Sequence, residues 1–176
     1  KDSATASNGD KLQIKQTLKY AKALATAQRA KNKQRVKAIH AKIKHTRQDL
    51  IHKFTTQLVK DNALIVVGDV RTTQFNSKKG KLAKSVYDAG WFELKRQLTY
   101  KCENAGCRFE IVNEKYTTQT CSCCGDMSSS PKGRAGLRIR EWTCATCGTR
   151  HDRDINASKN ILAVGLNRLV EGIPSL

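Results

Sequence analysis

The segment EWTCATCGTRHDRDINASKNI, residues 141–161, joins a Cys-x-x-Cys-Gly unit to two aspartates and to the start of a helical stretch. A matching unit, TQTCSCCG, occupies residues 118–125, and nineteen residues separate the two cysteine pairs. Four thiolates at this spacing can close a tetrahedral metal site, and each Gly permits the tight turn that lets backbone amides face the sulfurs. The sequence therefore predicts a structural zinc site, with an iron centre or a redox pair as alternatives, formed by Cys121, Cys124, Cys144 and Cys147.

Three further cysteines lie outside that pattern. Cys123 stands between two predicted ligands and is expected to point away from the metal. Cys102 and Cys107 have a weaker spacing, with four residues between them at a predicted helix end, and we interpret them as ordinary buried thiols. Seven cysteines, an odd number with four in metal-binding pairs, are typical of a protein in a reducing compartment.

The charge of the chain is strongly positive and unevenly distributed. Thirty-three Lys and Arg against fifteen Asp and Glu give +18, and residues 1–60 alone hold fifteen Lys or Arg and three Asp. Such a charge indicates a polyanionic partner, and nucleic acid is favoured over a membrane surface. No run of 18 apolar residues that could span a bilayer occurs, and residues 1–11 do not have the pattern of a signal peptide.

The first third of the chain predicts a hairpin followed by two helices. Asn8-Gly9 lies between short alternating segments at residues 3–15, which predicts a type I′ turn. From residue 16 the pattern is helical, with an apolar stripe made by Val36, Ile39, Ile43, Leu50, Phe54 and Leu58. Basic residues mostly off that stripe predict a nucleic-acid-binding ridge of Lys37, Lys42, Lys44, Arg47 and Lys53.

The middle of the chain predicts strands around a helix. Residues 62–67, NALIVV, are short, apolar and β-branched, and residues 108–114, RFEIVNE, alternate as a strand does. Residues 71–80 are predicted to form a loop, and a helix follows it with Leu82, Val86, Leu94 and Leu98 on one side. Strand, helix and strand in this order predict an α/β core with a crossover. A last helix is predicted at residues 155–171.

Asp152 and Asp154 stand where the loop after the second cysteine pair turns into that last helix. An Asp in this position is most often an N-cap, which accepts hydrogen bonds from the free backbone N–H groups of the first turn. Metal ligation is the alternative. The nearby His151 and Arg153 are expected to face phosphates rather than a metal.

The cysteine pairs and the segment REWTCATCGTRHDRDINASKNI together resemble the C-terminal signature of the TnpB/OrfB proteins of insertion sequences. The segments LIVVGDV, GKLAKSVYDAGW and LTYKCENAG are also similar to that family. The resemblance implies an α/β fold, an RNase H-like (RuvC-like) core truncated at its N-terminus, with an inserted zinc ribbon held by four cysteines. The core is then expected at residues 1–116, the ribbon at 117–150, and the helix that completes the core at 151–176.

The resemblance also implies a catalytic site of three acids around Mg²⁺. The first acid is expected upstream of Lys1, so the chain is expected to be a C-terminal fragment. The second is usually a Glu where this chain has Gly68, and the next residue, Asp69, is expected to point to the opposite face. Glu114 at the end of RFEIVNE is the candidate replacement, ahead of Glu110 and Glu93. The third acid corresponds to Asp154.

These implications favour one function and keep a second open. The favoured one is a transposase-type, RNA-guided DNA endonuclease that binds DNA and a guide RNA from its own element and cuts DNA by two-metal hydrolysis. Such a protein is expected in the bacterial cytoplasm, associated with the nucleoid. Because the first acid is expected elsewhere and Gly68 replaces the second, the alternative is a nucleic-acid-binding remnant or regulator without cleavage.

Overall fold

The computed structural model describes residues 3–14, 16–69, 90–127, 131–132, 136 and 138–171. The predicted loop at 71–80 and the positions of Leu82 and Val86 lie outside these residues. Two compact units are present. Within the described residues, no helix is long and apolar enough to cross a membrane.

The predicted hairpin is confirmed, although its turn differs from the prediction. Strands β1 (Ala4–Thr5) and β2 (Lys11–Leu12) pair. Among the described residues, Asn8 is not one of those with positive φ, whereas Gly9 has φ +97°. A type I′ turn needs positive φ at both central residues, so it is not formed. The Asn8 side chain instead accepts a hydrogen bond of 3.0 Å from the backbone N–H of Asp10.

The first unit contains residues 3–4, 12–14, 16–63 and 90–107 of the described chain, and three helices build it. They are α1 (Gln16–Arg29), α2 (Lys33–Asp61) and α3 (Trp91–Ala105). Helix α2 packs against both of the others, and a side-chain cap at Asn32 accepts from the backbone N–H of Arg35 at 2.9 Å. The two helices predicted before residue 62 are therefore confirmed.

The buried face of α2 differs from the predicted stripe. Ile43 is buried as expected, but the other fully enclosed side chains are Ile51 and Thr55, each with no exposed surface. Thr55 faces the equally buried Gln97 of α3, and its hydroxyl lies 3.0 Å from Oε1 of Gln97. The contact between Thr55 and Gln97 could not be predicted from the periodicity of apolar residues, because both side chains are polar.

The second unit contains residues 5–11, 64–69, 108–127, 131–132, 136 and 138–171 of the described chain. Strands β3 (Leu64–Gly68) and β4 (Arg108–Val112) pair in parallel, with Gly68 opposite Val112. Strands β5 (Glu141–Thr143) and β6 (Arg150–Asp152) pair antiparallel beside the cysteines, and helix α4 (Arg153–Glu171) follows β6 directly. The predicted strands, crossover and last helix are confirmed, and the chain has an α/β fold.

Candidate functional site

The four predicted cysteines converge. Their sulfur atoms all lie within 4.8 Å of one another. The Sγ atoms of Cys121 and Cys147 are 3.7 Å apart, and those of Cys124 and Cys144 are 3.6 Å apart. Four sulfurs about 2.3 Å from one zinc in a tetrahedron are separated by about 3.8 Å, so these two distances suit a zinc site with four cysteine ligands. Cys123 is exposed and does not belong to the group, as predicted.

Two similar turns shape the cysteine group. Gly125 and Gly148 adopt φ values of +78° and +71°, and each donates its backbone N–H to the carbonyl of the first Cys of its pair, both at 2.9 Å. The turns present hydrogen-bond donors to sulfur. The hydroxyl and backbone N–H of Thr149 lower the pKa of Cys147 to about 6, which favours the thiolate that a metal requires.

His151 does not face solvent or phosphate, which corrects the expectation for this residue. Its side chain is buried, and Nε2 lies 3.0 Å from Sγ of Cys121. The ring also packs against Trp142, with 4.7 Å between the ring centroids. With Nε2 protonated, His151 donates a hydrogen bond to the Cys121 thiolate. It thereby supports a cysteine of the proposed metal site without being one of the four grouped sulfur residues. Arg153 is likewise engaged with protein, because it donates to the carbonyl of Gly136 at 2.8 Å.

Two asparagines attach the first cysteine turn to helix α4. Asn156, which is 1% exposed, accepts from the backbone N–H of Ser122 at 2.9 Å and donates to the carbonyls of Thr120 at 2.7 Å and Thr117 at 3.3 Å. Asn160, one turn later, donates to the same two carbonyls at 2.7 and 2.8 Å. This contact was not predicted from the sequence, although the spacing of four residues between two Asn on one helix face was its signal.

The two aspartates have different partners. Oδ1 of Asp152 accepts from the backbone N–H groups of Asp154 at 2.9 Å and Ile155 at 3.0 Å, so Asp152 caps helix α4. Burial raises the pKa of Asp152, but those two N–H groups and Lys11 outweigh it, and the pKa is lowered. The Asp154 carboxylate is not needed as a cap and pairs with Arg140 at 2.9 Å on an exposed surface.

Glu114 lies in the space that a side chain at position 68 would fill. A Cβ on Gly68 would meet Oε2 of Glu114 at 2.6 Å, its Cβ at 3.0 Å, and Cδ1 of Ile161 at 3.2 Å. Gly68 is opposite Val112 in the parallel register, and Glu114 follows Val112 by two residues, beyond the end of β4. A carboxylate from the segment after β4 thus lies beside the end of β3, where the strand itself carries no side chain.

Helix α4 directs Asp154 toward the same edge of the strand pair. Gly165 lies against Val66 and Ile161 lies beside Gly68, so the helix runs antiparallel to β3. Asp154 precedes Ile161 by seven residues, which places it about 20° around the helix and about 10 Å further along the axis. It therefore continues the strand-facing side of α4, about 10 Å past the level at which Ile161 and Glu114 lie beside Gly68.

The other acids considered have different surroundings. Glu110 pairs with Arg108 at 3.1 Å in the middle of β4, opposite Val66. Glu93 belongs to the first unit, where the guanidinium of Arg96 at 2.7 Å lowers its pKa to about 2, against the opposing effect of burial. Glu110 therefore does not lie beside Gly68 as Glu114 does.

The basic residues of α2 do not form one ridge. Lys42 and Lys53 lie about 20° apart around the helix, and Lys37 and Lys44 also lie about 20° apart, but about 140–180° from the first pair. Arg47 is half-buried, and the four lysines are exposed. Lys53 pairs with Asp49 at 2.8 Å. The predicted surface is therefore split over two faces of one helix.

Two family models match the sequence. One, described as a Cas12f1-like TNB domain, matches residues 91–161, and the other, OrfB_IS605, described as a probable transposase, matches residues 4–77. The first includes all four cysteines together with Glu114 and Asp154. The second includes the hairpin, both basic helices and β3.

Relatives and a solved structure agree with these matches. A Streptomyces pristinaespiralis protein named as a candidate RNA-guided DNA endonuclease is 40% identical over 146 residues, which are 82% of this chain and 35% of that protein. TnpB-like protein L79 of Acanthamoeba polyphaga mimivirus is 29% identical over 158 residues, 87% of this chain and 29% of that protein. The chain thus spans about a third of the length of these relatives.

The solved structure supports the fold alone. It is a cryo-EM structure of a Cas12f1–sgRNA–target DNA complex, and it matches with a TM-score of 0.64 at 16% identity, over 86% of this chain and 43% of that one. The paired cysteine turns, the helix that follows them and the two family models point to one assignment. The chain belongs to the TnpB/OrfB family of insertion-sequence transposases.

Proposed function

We propose that this chain carries part of the catalytic centre and part of the nucleic-acid-binding surface of an RNA-guided DNA endonuclease of the TnpB type. The observation that carries the proposal is the position of Glu114, whose carboxylate fills the space beside Gly68 at the carboxyl end of β3. In an RNase H-like core of the RuvC type, an acid is needed at this strand end. Here the neighbouring strand supplies it.

Glu114 and Asp154 are the proposed ligands for Mg²⁺. Mg²⁺ sites often use only one or two carboxylates and complete their coordination with water and substrate phosphate, so two acids from this chain suit such a site. Bound Mg²⁺ would activate water and stabilise the leaving oxygen of the cleaved phosphodiester. The ion pair of Asp154 with Arg140 is about half exposed on the Arg side and is worth little, so it presents only a small barrier to ligation.

Hydrogen bonds within the chain fix the start of helix α4, which carries Asp154. Asp152 fixes the first turn of α4 through its two backbone hydrogen bonds, and it thereby leaves Asp154 free of a capping role. Asn156 and Asn160 tie the same helix to the turn that carries Cys121. We propose that zinc in the four-cysteine site is structural, because four protein sulfurs leave no coordination position open for water.

The proposed partners are DNA and a guide RNA. The support is the net charge of +18 and the exposed lysines on two faces of α2, which can contact two separate stretches of phosphate backbone. Affinity for nucleic acid should then fall steeply with salt, and Lys42→Ala combined with Lys53→Ala should reduce the slope of log affinity against log salt by about 2. An affinity that is insensitive to salt would contradict this assignment.

Metal binding tests the proposed centre directly. Mn²⁺ can be titrated into the zinc-loaded chain in the presence of a single-stranded oligonucleotide, with bound Mn²⁺ measured by electron paramagnetic resonance. Glu114→Gln and Asp154→Asn should each weaken binding about tenfold or more. Asp152→Asn is the matched control, because Asn caps a helix as well as Asp does. Equal affinities in all four proteins would contradict the assignment.

A second function, nucleic-acid binding without cleavage, is favoured by one observation, the absence of an acidic side chain at Gly68. The two functions predict different results for DNA cutting in a longer protein that includes sequence upstream of Lys1. If Glu114 is the relocated acid, Glu114→Ala in that longer protein abolishes Mg²⁺-dependent DNA cutting while guide RNA binding persists. Cutting that survives the change rules out the relocated acid, and a longer protein that binds but never cuts supports the second function.

A further inference from the structure

The chain makes a tight turn immediately after Glu114. The backbone N–H of Thr117 donates to the carbonyl of Glu114 at 3.2 Å, and the Thr117 hydroxyl donates to the same carbonyl at 2.8 Å. Lys115 and Tyr116 are the two corner residues of this turn. Both corner residues therefore directly follow Glu114, which carries the proposed metal-binding carboxylate.

Tyr116 has an unfavourable backbone conformation for its residue type. Its φ is +66°, in the left-handed region that favours Gly, and among the described residues only Lys31 shares this feature outside glycine. Residues that follow Tyr116 in the chain stabilise this conformation. The Tyr116 carbonyl accepts hydrogen bonds from the backbone N–H groups of Gln119 at 2.8 Å and Thr120 at 3.0 Å. Strained residues of this kind cluster at functional sites, and the strain here fixes the direction of an aromatic ring.

The ring that this turn presents is largely exposed. Tyr116 is 51% exposed, although a large aromatic side chain gains free energy by burial, and Nζ of Lys115 lies 4.8 Å from its ring centroid. An exposed aromatic ring beside an ammonium group combines the two elements that proteins use for single-stranded nucleic acid. The ring stacks on a base, and the cation contacts the adjoining phosphate.

We propose that Tyr116 is a base-stacking residue that positions one nucleotide of a single strand next to Glu114, with Lys115 on its phosphate. This inference rests on the proposed function, because it assumes that the strand to be cut passes the carboxyl ends of β3 and β4. The turn is short and held at both ends, so a base stacked on Tyr116 has its backbone near the proposed metal ligand. Tyr116 is thus a positioning residue for the scissile strand.

The experiment compares two ligands and several variants of the zinc-loaded chain. One ligand is a fluorescently labelled DNA single strand of about 12 nucleotides, within the range of lengths that single-strand-binding grooves accommodate. The other has the same length with abasic sugars throughout, so that only phosphates and sugars remain. Tyr116→Ala should lower affinity for the base-containing strand about tenfold and change affinity for the abasic strand less than about twofold. Tyr116→Phe keeps the ring and should bind both strands as the wild type does.

Three controls separate stacking from folding and from charge. Tyr116→Gly should bind as weakly as Tyr116→Ala while unfolding at an equal or higher denaturant midpoint than wild type, because Gly tolerates the positive φ. Phe92→Ala removes a ring that is 76% exposed in the first unit and should leave the difference between the two ligands unchanged. Lys115→Ala should weaken both ligands alike and reduce the salt dependence.

The outcomes distinguish this inference from the function on which it rests. If the chain binds the base-containing strand but Tyr116→Ala binds it equally well, or loses the same factor on both ligands, stacking by Tyr116 is refuted and the endonuclease proposal stands. If the chain binds neither ligand even at low salt, both proposals are refuted. A loss of about tenfold confined to the base-containing strand, together with full retention in Tyr116→Phe, supports the inference.

Discussion

Replacement of Gly68 by Ala tests the central contact of the proposed site. The new methyl group would meet Oε2 of Glu114 at 2.6 Å, Cβ of Glu114 at 3.0 Å and Cδ1 of Ile161 at 3.2 Å. The carboxylate would have to leave its position beside Gly68, and the other two contacts are less easily relieved. We expect Gly68→Ala to lower the free energy of unfolding by about 1–3 kcal/mol.

A double-mutant cycle with Glu114→Ala measures the part of that cost due to the carboxylate. Glu114→Ala removes Oε2 and retains the Cβ contact, so Gly68→Ala should cost about 1 kcal/mol less in that background. The free energies are obtained from denaturant-induced unfolding of the zinc-loaded chain, followed by circular dichroism. The measurement needs no nuclease activity.

Gly165→Ala in helix α4 provides a matched control, because Gly165 packs against the same strand, β3. Its Cβ would meet the two methyl groups of Val66, with Cγ1 at 2.6 Å, and the branched side chain cannot rotate out of the way. It should also destabilise the chain, by about 2 kcal/mol, with no coupling to Glu114→Ala beyond about 0.5 kcal/mol. If the cost of Gly68→Ala is the same with and without the Glu114 carboxylate, Glu114 does not occupy the space beside Gly68 and the proposed centre loses its main support.

Three further predictions concern zinc, the asparagine contact and an ion pair. Removal of zinc by a chelator should expose the buried Trp142 and shift its fluorescence to longer wavelength, and Cys123→Ser should leave zinc affinity unchanged because its thiol lies outside the ligand group. Asn156→Asp should cost about 3 kcal/mol of unfolding free energy in the zinc-loaded chain, because a buried carboxylate would replace a donor to two carbonyls; a loss below about 1 kcal/mol would contradict this role. Glu93→Gln should cost about 1 kcal/mol at pH 7, a value kept small because Arg96 is half exposed. Since the pKa of Glu93 falls from 4.5 to about 2 on folding, its contribution is complete above pH 4.5, and the difference from wild type in unfolding experiments should disappear as the pH falls toward 2.

Several features of the site could be predicted because they depend on spacing along the chain. The Cys-x-x-Cys-Gly units fix two sulfurs each within one short turn, so the ligand group follows from local geometry. Alternation along residues 108–114 also predicted correctly that β4 is a strand. The strand ends at Val112, and Glu114 follows it by two residues, with its side chain beside Gly68.

Other features depended on which residues meet across the fold. Nothing in the local pattern distinguishes Asp152 from Asp154, yet the start of α4 at Arg153 makes the first a cap and leaves the second to pair with Arg140. The prediction for His151 was wrong for a related reason. A His in a charged segment is expected at the surface, but the pairing of β5 with β6 places it between Trp142 and Cys121.

The sequence by itself determined the family, the four-sulfur group and the order of strands and helices, because these follow from contacts within a few residues and from the periodicity of side chains. Only the tertiary structure decided that Glu114 fills the space beside Gly68. That contact joins residues 46 positions apart in the numbering and depends on the parallel register of β3 with β4. A shift of that register by one residue would place a different residue opposite Gly68, so the position of Glu114 beside Gly68 is a property of packing between strands.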